Sequence, residues 1–211
     1  MIIEKVQYHR YVVDEMIERF QARMFNLKAS DPKNRPDRIL EVLKLQLGQR
    51  IADIGAGGGY FSLRFARTVG EDGRIYAVDT DPKFLKFIEE QARENGCGNV
   101  ETMPVGEDEL ELPERDLDMV FMRNVCHHLQ DRAKYFANLG GMLKTSGRVA
   151  IIEYHPGGRF NLHRAFGHSV PWRVIEEEMR KSGYRLRELH NFLPEQWFTI
   201  YSLEHGQSSG K

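Results

Sequence analysis

The stretch Asp53-Ile54-Gly55-Ala56-Gly57-Gly58-Gly59-Tyr60 passes from a short apolar run, Arg50–Ile54, into helical spacing that continues to Val69. Glycines at 55, 57, 58 and 59 allow a tight turn and a close approach of backbone to a ligand. The first N–H groups of the helix that follows have no partner within it and face whatever the turn holds. Two glycine loops are excluded. The dinucleotide fingerprint needs a third small residue for close helix–strand packing, and counting from Gly55 and Gly57 that position is Tyr60. A phosphate loop needs Gly-Lys-Ser/Thr, which does not follow. Asp53 at the strand end repels a pyrophosphate and suits a ligand carrying positive charge.

Outward from this turn, strand-like and helix-like stretches alternate. Strands are expected at Arg50–Ile54, Arg74–Val78, Asn99–Met103, Leu117–Met122 and Arg148–Tyr154, and helices at Gly59–Val69, Pro82–Asn95, Arg132–Leu143 and Trp172–Ser182. The strands are apolar runs rather than alternations, so both faces are covered, which indicates an α/β fold around a mostly parallel sheet. Two strand-like runs with no helix between them, Tyr184–Phe192 and Trp197–Leu203, should close the sheet as an antiparallel hairpin.

Upstream, Tyr11–Leu27 has helical spacing, and its apolar stripe through Val13, Met16, Phe20 and Met24 must bury against something. The breaker cluster Ser30–Pro36 precedes a second helix, Pro36–Leu47. Residues 1–35 read as a helical extension: either packed permanently on the core or a lid hinged at Ser30–Pro36, with Tyr8, Tyr11 and Phe25 as its aromatic surface. Residues 36–205 form the main domain, and the polar, glycine-rich 206–211 reads as a disordered tail.

With 30 Lys+Arg against 31 Asp+Glu, the 211-residue chain lacks the basic excess of a non-specific nucleic-acid binder. No window has the apolar length of a membrane span, and charges at Glu4, Lys5 and Arg10 break the only leading apolar stretch, so it is not a signal peptide. Two cysteines, Cys97 and Cys126, make neither a disulfide framework nor a four-ligand zinc site and fit a reducing cytoplasm. The expected state is a monomer or homodimer.

Ligands of open parallel sheets bind at the carboxyl ends of the strands, so the residues there are the candidates. Asp79 ends the second strand, where a carboxylate can accept both hydroxyls of a ribose; Asp81, before Pro82, can cap the next helix and leave Asp79 free. Glu107 and Asp108 follow the third strand and can accept from an exocyclic amine. The fourth strand runs into Arg123-Asn124-Val125-Cys126-His127-His128. Adjacent histidines point apart and lack a third ligand at useful spacing, so no metal is expected. Cys126 reads as a small buried hydrophobe. His127, His128, Glu153, Tyr154 and His155 lie where a general base is available to an acceptor, and the irregular stretch from His155 to His168 lies over the same side.

Taken together, these strand ends resemble the class I S-adenosylmethionine-dependent methyltransferases, in the style of the small quinone-biosynthesis-like enzymes of methyltransferase types 11 and 25. Ile51–Ser62 looks like the family's acidic G-x-G-x-G motif, Ile75–Asp79 like its second motif, and Leu117–Met122 with His127-His128-Leu129 like its fourth strand and exit. The resemblance implies a Rossmann-like three-layer sandwich with a seven-stranded sheet and S-adenosyl-L-methionine as cofactor. It places Gly55, Ala56, Gly57 and Gly59 against the methionine portion, with Asp53 at its ammonium. Asp79 falls at the ribose, Thr80 beside the adenine, Asp108 or Glu107 at the adenine amine, and Asn124 near the methionine. His127, His128 and Tyr154 fall on the side of a small-molecule methyl acceptor. The N-P-P-Y or D-P-P-Y motif of nucleobase amino methyltransferases is replaced by Arg123-Asn124-Val125-Cys126, and no Pro-Cys dipeptide marks a cytosine-C5 enzyme. Two other readings stand beside this one: a non-catalytic module that binds the same cofactor, and a nicotinamide-dependent oxidoreductase.

Overall fold

Ile51, Ala52 and Ile54 are buried, as are Ile75–Val78 and Met119–Met122, so each of these runs has to lie between neighbours on both sides and beneath helices on both faces. The computed structural model meets that demand; it describes residues 2–106, 112–113, 115–156 and 169–204, without the side chains of 2–15. In chain order the elements are α1 (Ile2–Ser30), a 3-10 turn (Pro32–Asn34), α2 (Pro36–Leu43), β1 (Arg50–Ile54), α3 (Tyr60–Val69), β2 (Arg74–Asp79) and α4 (Pro82–Glu94). Then come β3 (Val100–Pro104), β4 (Leu117–Arg123), α5 (Arg132–Gly140), β5 (Leu143–Tyr154), α6 (Trp172–Lys181), β6 (Tyr184–His190) and β7 (Gln196–Leu203).

The strands form one seven-stranded sheet in the order β3-β2-β1-β4-β5-β7-β6. β1 to β5 are parallel, and β7 pairs antiparallel with both β5 and β6. Alternate residues feed two cores. Ile51, Met119 and Ile152 pack with α2 and α3, while Ala52, Val120 and Ile151 pack with α5 and α6. This is the expected Rossmann-like sandwich with its closing hairpin. β1 and β4 are neighbours although α3 to β3 intervene in the chain, so the strand order reverses between them and a crevice opens there.

Several features differ from the sequence reading, and α1 itself runs over Ile2–Ser30 rather than Tyr11–Leu27. α2 stops at Leu43 rather than Leu47, because Lys44 takes a left-handed φ of 46° and its N–H closes on Leu40 O. α5 stops at Gly140, and Leu143 instead opens β5 by pairing with Leu117. The apolar stripe of α1 does not bury as expected: Met16 and Phe20 are 67% and 64% exposed, and Met24 is exposed too. The helix docks through Arg19, Ala22, Asn26 and Ala29. A Cβ on Gly58 would lie 2.2 Å from Ala22 O, so helix and glycine turn meet backbone to backbone. Small and polar residues make that approach possible, and large apolar ones do not.

Candidate active site

The crevice outside β1 and β4 is a cavity of about 700 Å³, lined by the glycine turn, the ends of β1, β2, β4 and β5, and the last turns of α1. That volume is within the usual range for small-molecule sites. Gly55, Gly57 and Gly59 have φ of 69°, 56° and 78°, a region open mainly to glycine. A Cβ on Gly55 would strike Val125 Cγ2 at 2.4 Å, and one on Gly59 would strike Ile88 Cγ1 at 2.7 Å. Gly55 and Ala56 donate their N–H groups to Val78 O at 2.8 and 3.0 Å, which ties the turn to β2.

Asp53 is buried, and its Oδ2 accepts from Ser62 Oγ at 2.5 Å. Burial pushes its carboxyl up to about 7, against the Ser62 hydrogen bond and with help from the nearby Asp79. Ser62 belongs to the first turn of α3 and was not singled out in the sequence. Asp79 is not free. Its Oδ2 accepts Gly57 N–H at 2.8 Å and its Oδ1 accepts Asp81 N–H at 3.1 Å, while Asp81 caps α4 through Lys83 N–H at 2.9 Å. Burial raises the Asp79 carboxyl, and these backbone donors oppose that. The carboxylate has lone pairs beyond those two bonds, so it braces the turn and still faces the cavity with Thr80. Glu107 and Asp108 lie outside the described residues.

Arg123, which closes β4, went unassigned in the sequence. Its guanidinium carbon lies 5.6 Å from the centre of the Phe61 ring, and burial lowers its basicity. Its Nε is buried with no hydrogen-bond partner among the described residues. A half-buried cation with an orphaned donor beside a ligand-sized cavity is matched to an anionic group that enters the cavity. Asn124 follows with φ 58°, donates its N–H to Ile152 O at 2.8 Å, and accepts at Oδ1 from Gln196 Nε2 at 2.6 Å.

At the β4–β5 end, His127 Nδ1 lies 2.9 Å from Glu153 Oε2. The rings of His127 and His128 do not point apart; their centres are 4.1 Å from each other. Tyr154 is buried, with Lys28 Nζ 5.1 Å above its ring. The Cys126 thiol is buried and pushed well up by that burial, and it belongs to the hydrophobic core. The wall opposite is α1. Asn26 Nδ2 donates to Gly58 O at 2.7 Å and Asn26 Oδ1 accepts Tyr60 N–H at 3.1 Å, so one α1 side chain caps α3. Phe25 stands edge-on to Phe84 at 5.4 Å. Arg19 pairs with Glu90 at 2.6 Å, and Lys83 pairs with Glu18. No sequence pattern marks Asn26, since its partners are backbone atoms far along the chain.

Known proteins share the fold. Residues 51–147 match the family model described as "Methyltransferase domain". A "SAM dependent methyltransferase from Aquifex aeolicus" superposes with a TM-score of 0.76 at 22% identity, over 85% of this chain and 97% of that one. Fold and matched segment thus point to the class I S-adenosylmethionine-dependent methyltransferases, to which this chain is similar and whose cofactor is S-adenosylmethionine. Nearer in sequence, it is 28% identical over 116 residues to the "Ubiquinone/menaquinone biosynthesis C-methyltransferase UbiE" of Proteus mirabilis (54% of this chain, 46% of that one). The namesake in Vibrio parahaemolyticus is 30% identical over 108 residues (51% and 42%). The chain therefore spans less than half the length of these curated relatives. The "[4+2]-Cyclase SpnF" shares the fold at a TM-score of 0.67 and 15% identity, so architecture by itself does not specify a reaction.

Proposed function

We propose that this protein is a methyltransferase that uses S-adenosylmethionine to methylate a small-molecule acceptor. The observation that carries this is the charge arrangement at the switch point. Asp53 and Asp79 flank a glycine turn that has no phosphate-binding residues, and the half-buried Arg123 lines the same cavity. A cationic amino-acid cofactor attached to a nucleoside fits that donor set, and a pyrophosphate does not.

Asp53 receives the ammonium and Arg123 the carboxylate. Gly55, Ala56, Gly57 and Gly59 let the methionine portion lie on backbone, with Asn124 close by. Asp79 accepts from the ribose hydroxyls, Thr80 flanks the adenine, and Glu107 or Asp108 meets its amine. When bound, the cofactor supplies a methyl group on a positively charged sulfur. The protein's share of the work is alignment and exclusion of water. Residues 36–205 perform it, and α1 serves as a lid whose Phe25 and Lys28 wall the cleft. His127, His128 and Tyr154 face the acceptor. Among the described residues no helix is long and apolar enough to cross a membrane; we place the protein in the cytoplasm, as a monomer or homodimer.

Thermal unfolding with and without S-adenosylhomocysteine tests this reading. Ligand at 100 times its dissociation constant stabilises by about 2.7 kcal/mol, so the midpoint should rise, and NADH at equal concentration should leave it unchanged. A rise with NADH alone would reverse the assignment.

A further inference from the structure

Met16, Ile17, Phe20, Met24 and Leu27 of α1 are all about half to two-thirds exposed among the described residues. They recur at helical spacing and so form one stripe along the helix. A single exposed leucine is ordinary, whereas a contiguous apolar patch marks an interaction site. The helix is not free to roll and hide it. Ala22 and Ala29 are buried on the opposite side. There Asn26 clasps Gly58 and Tyr60, and the Arg19–Glu90 and Glu18–Lys83 pairs hold the helix to α4. What borders the stripe is basic. On the helical wheel Arg23 lies on one flank and Lys28 on the other, and both are exposed, while Glu18 is drawn away toward α4. In sequence, Lys5 and Arg10 repeat these two positions about five helical turns earlier.

We infer that α1 seats this protein on an anionic bilayer surface, with the stripe in the headgroup boundary and the flanking cations among the lipid phosphates. An apolar helix face edged by Lys and Arg on both sides is the pattern that lies in such an interface. A second copy of the chain is a poorer occupant. It would bring the same basic rims together, and like charges facing each other oppose association. The stripe offers a few hundred Å² of apolar surface, short of the roughly 800 Å² per partner of a standard protein interface. The attachment is peripheral, because among the described residues no helix is long and apolar enough to cross a membrane. Phe25 and Lys28 wall the cleft from this same helix, so the seat lies beside the cleft mouth. It does not depend on which acceptor is methylated.

Flotation of the full chain with vesicles tests this. The probes are vesicles of equimolar phosphatidylglycerol and phosphatidylcholine, and vesicles of phosphatidylcholine alone. Wild type should partition onto the first about tenfold better than onto the second, and the preference should shrink as salt rises. Phe20→Glu combined with Leu27→Glu should lower that partitioning at least about tenfold, while melting at the wild-type midpoint and binding S-adenosylhomocysteine as wild type does. Arg23→Gln should lower it about fivefold, the weight of one cation near the surface. Phe20→Trp should shift its emission to the blue on the mixed vesicles by more than wild type, whose tryptophans are Trp172 and Trp197. No partitioning of wild type onto the mixed vesicles, or equal partitioning of the double variant, overturns the seat. Equal partitioning of wild type onto both kinds of vesicle overturns its anionic character. A wild-type dimer in sedimentation velocity that the double variant dissolves assigns the stripe to a second copy and overturns the proposal as well.

Discussion

At the β1–β2 end of the cleft, Asp53, Ser62, the glycine turn and Asp79 come from one continuous strand–turn–helix–strand unit, and much of what they present is backbone. At the β4–β5 end, His127, Glu153, Gln196 and Lys28 come from four separate segments, and what they present is side chain. The first end is prescribed by local chemistry: positive φ at three glycines, and a carboxylate that braces the turn. The second exists only after the sheet has paired β4 with β5 and β5 with β7. A family can therefore keep one cofactor end while its acceptor end diverges.

The contrast can be broken at the turn first. Gly57→Val forces a β-branched residue to φ 56°, a strain of about 1–2 kcal/mol. We expect loss of S-adenosylhomocysteine binding by calorimetry, while the apo-protein melts only a few degrees lower. Persistent binding would make the turn merely structural.

The next effect is on stability against pH. Asp53 has its carboxyl raised from 3.8 to about 7 in the folded protein, so between those values the native state keeps a proton that the unfolded chain has released. The stability it contributes is fully present below 3.8 and is lost as pH rises through about 7. At about 1.4 kcal/mol per pKa unit the fall is several kcal/mol. Urea midpoints measured across that window should decline in wild type and stay flatter in Asp53→Asn.

Asp79→Ala should weaken S-adenosylhomocysteine binding by roughly 1–3 kcal/mol, since ribose hydroxyls and Gly57 N–H lose a charged acceptor. The fold should persist because Asp81 still caps α4. Unchanged affinity would remove Asp79 from the ribose site. The smallest effect is expected from Asn26→Ala, which uncaps α3 and loosens α1 at a cost of about 1 kcal/mol. Hydrogen exchange of residues 5–30 then sharpens the role of α1. Protection that rises several-fold with S-adenosylhomocysteine in wild type marks a lid, and equal, high protection in both states marks a fixed wall.

The two ends were unequally legible beforehand. Asp53, Gly55–Gly59 and Asp79 could be read because each stands at a strand end with a local chemical reason to be there. The sheet could be read because its strands are unbroken apolar runs. The pairing of His127 with Glu153, the orphaned Nε of Arg123 and the clasp of Asn26 on Gly58 and Tyr60 could not, because each depends on contacts between distant segments. The face of α1 was misjudged for a related reason: burial followed the demand for close backbone approach at Ala22 and Gly58, not the larger apolar residues.

The cleft takes a cationic amino-acid nucleoside by its charges. Calorimetric titration of wild type and Asp53→Asn with S-adenosylhomocysteine between about pH 5.5 and 8 tests it most directly, because Asp53 must be ionised to meet an ammonium and its carboxyl stands at about 7. One molecule should bind per chain, with affinity that strengthens as pH rises toward that value and with proton release below it; Asp53→Asn should bind weakly at every pH. Affinity indifferent to both pH and Asp53, or binding of NADH in its place, would rule out recognition by these charges.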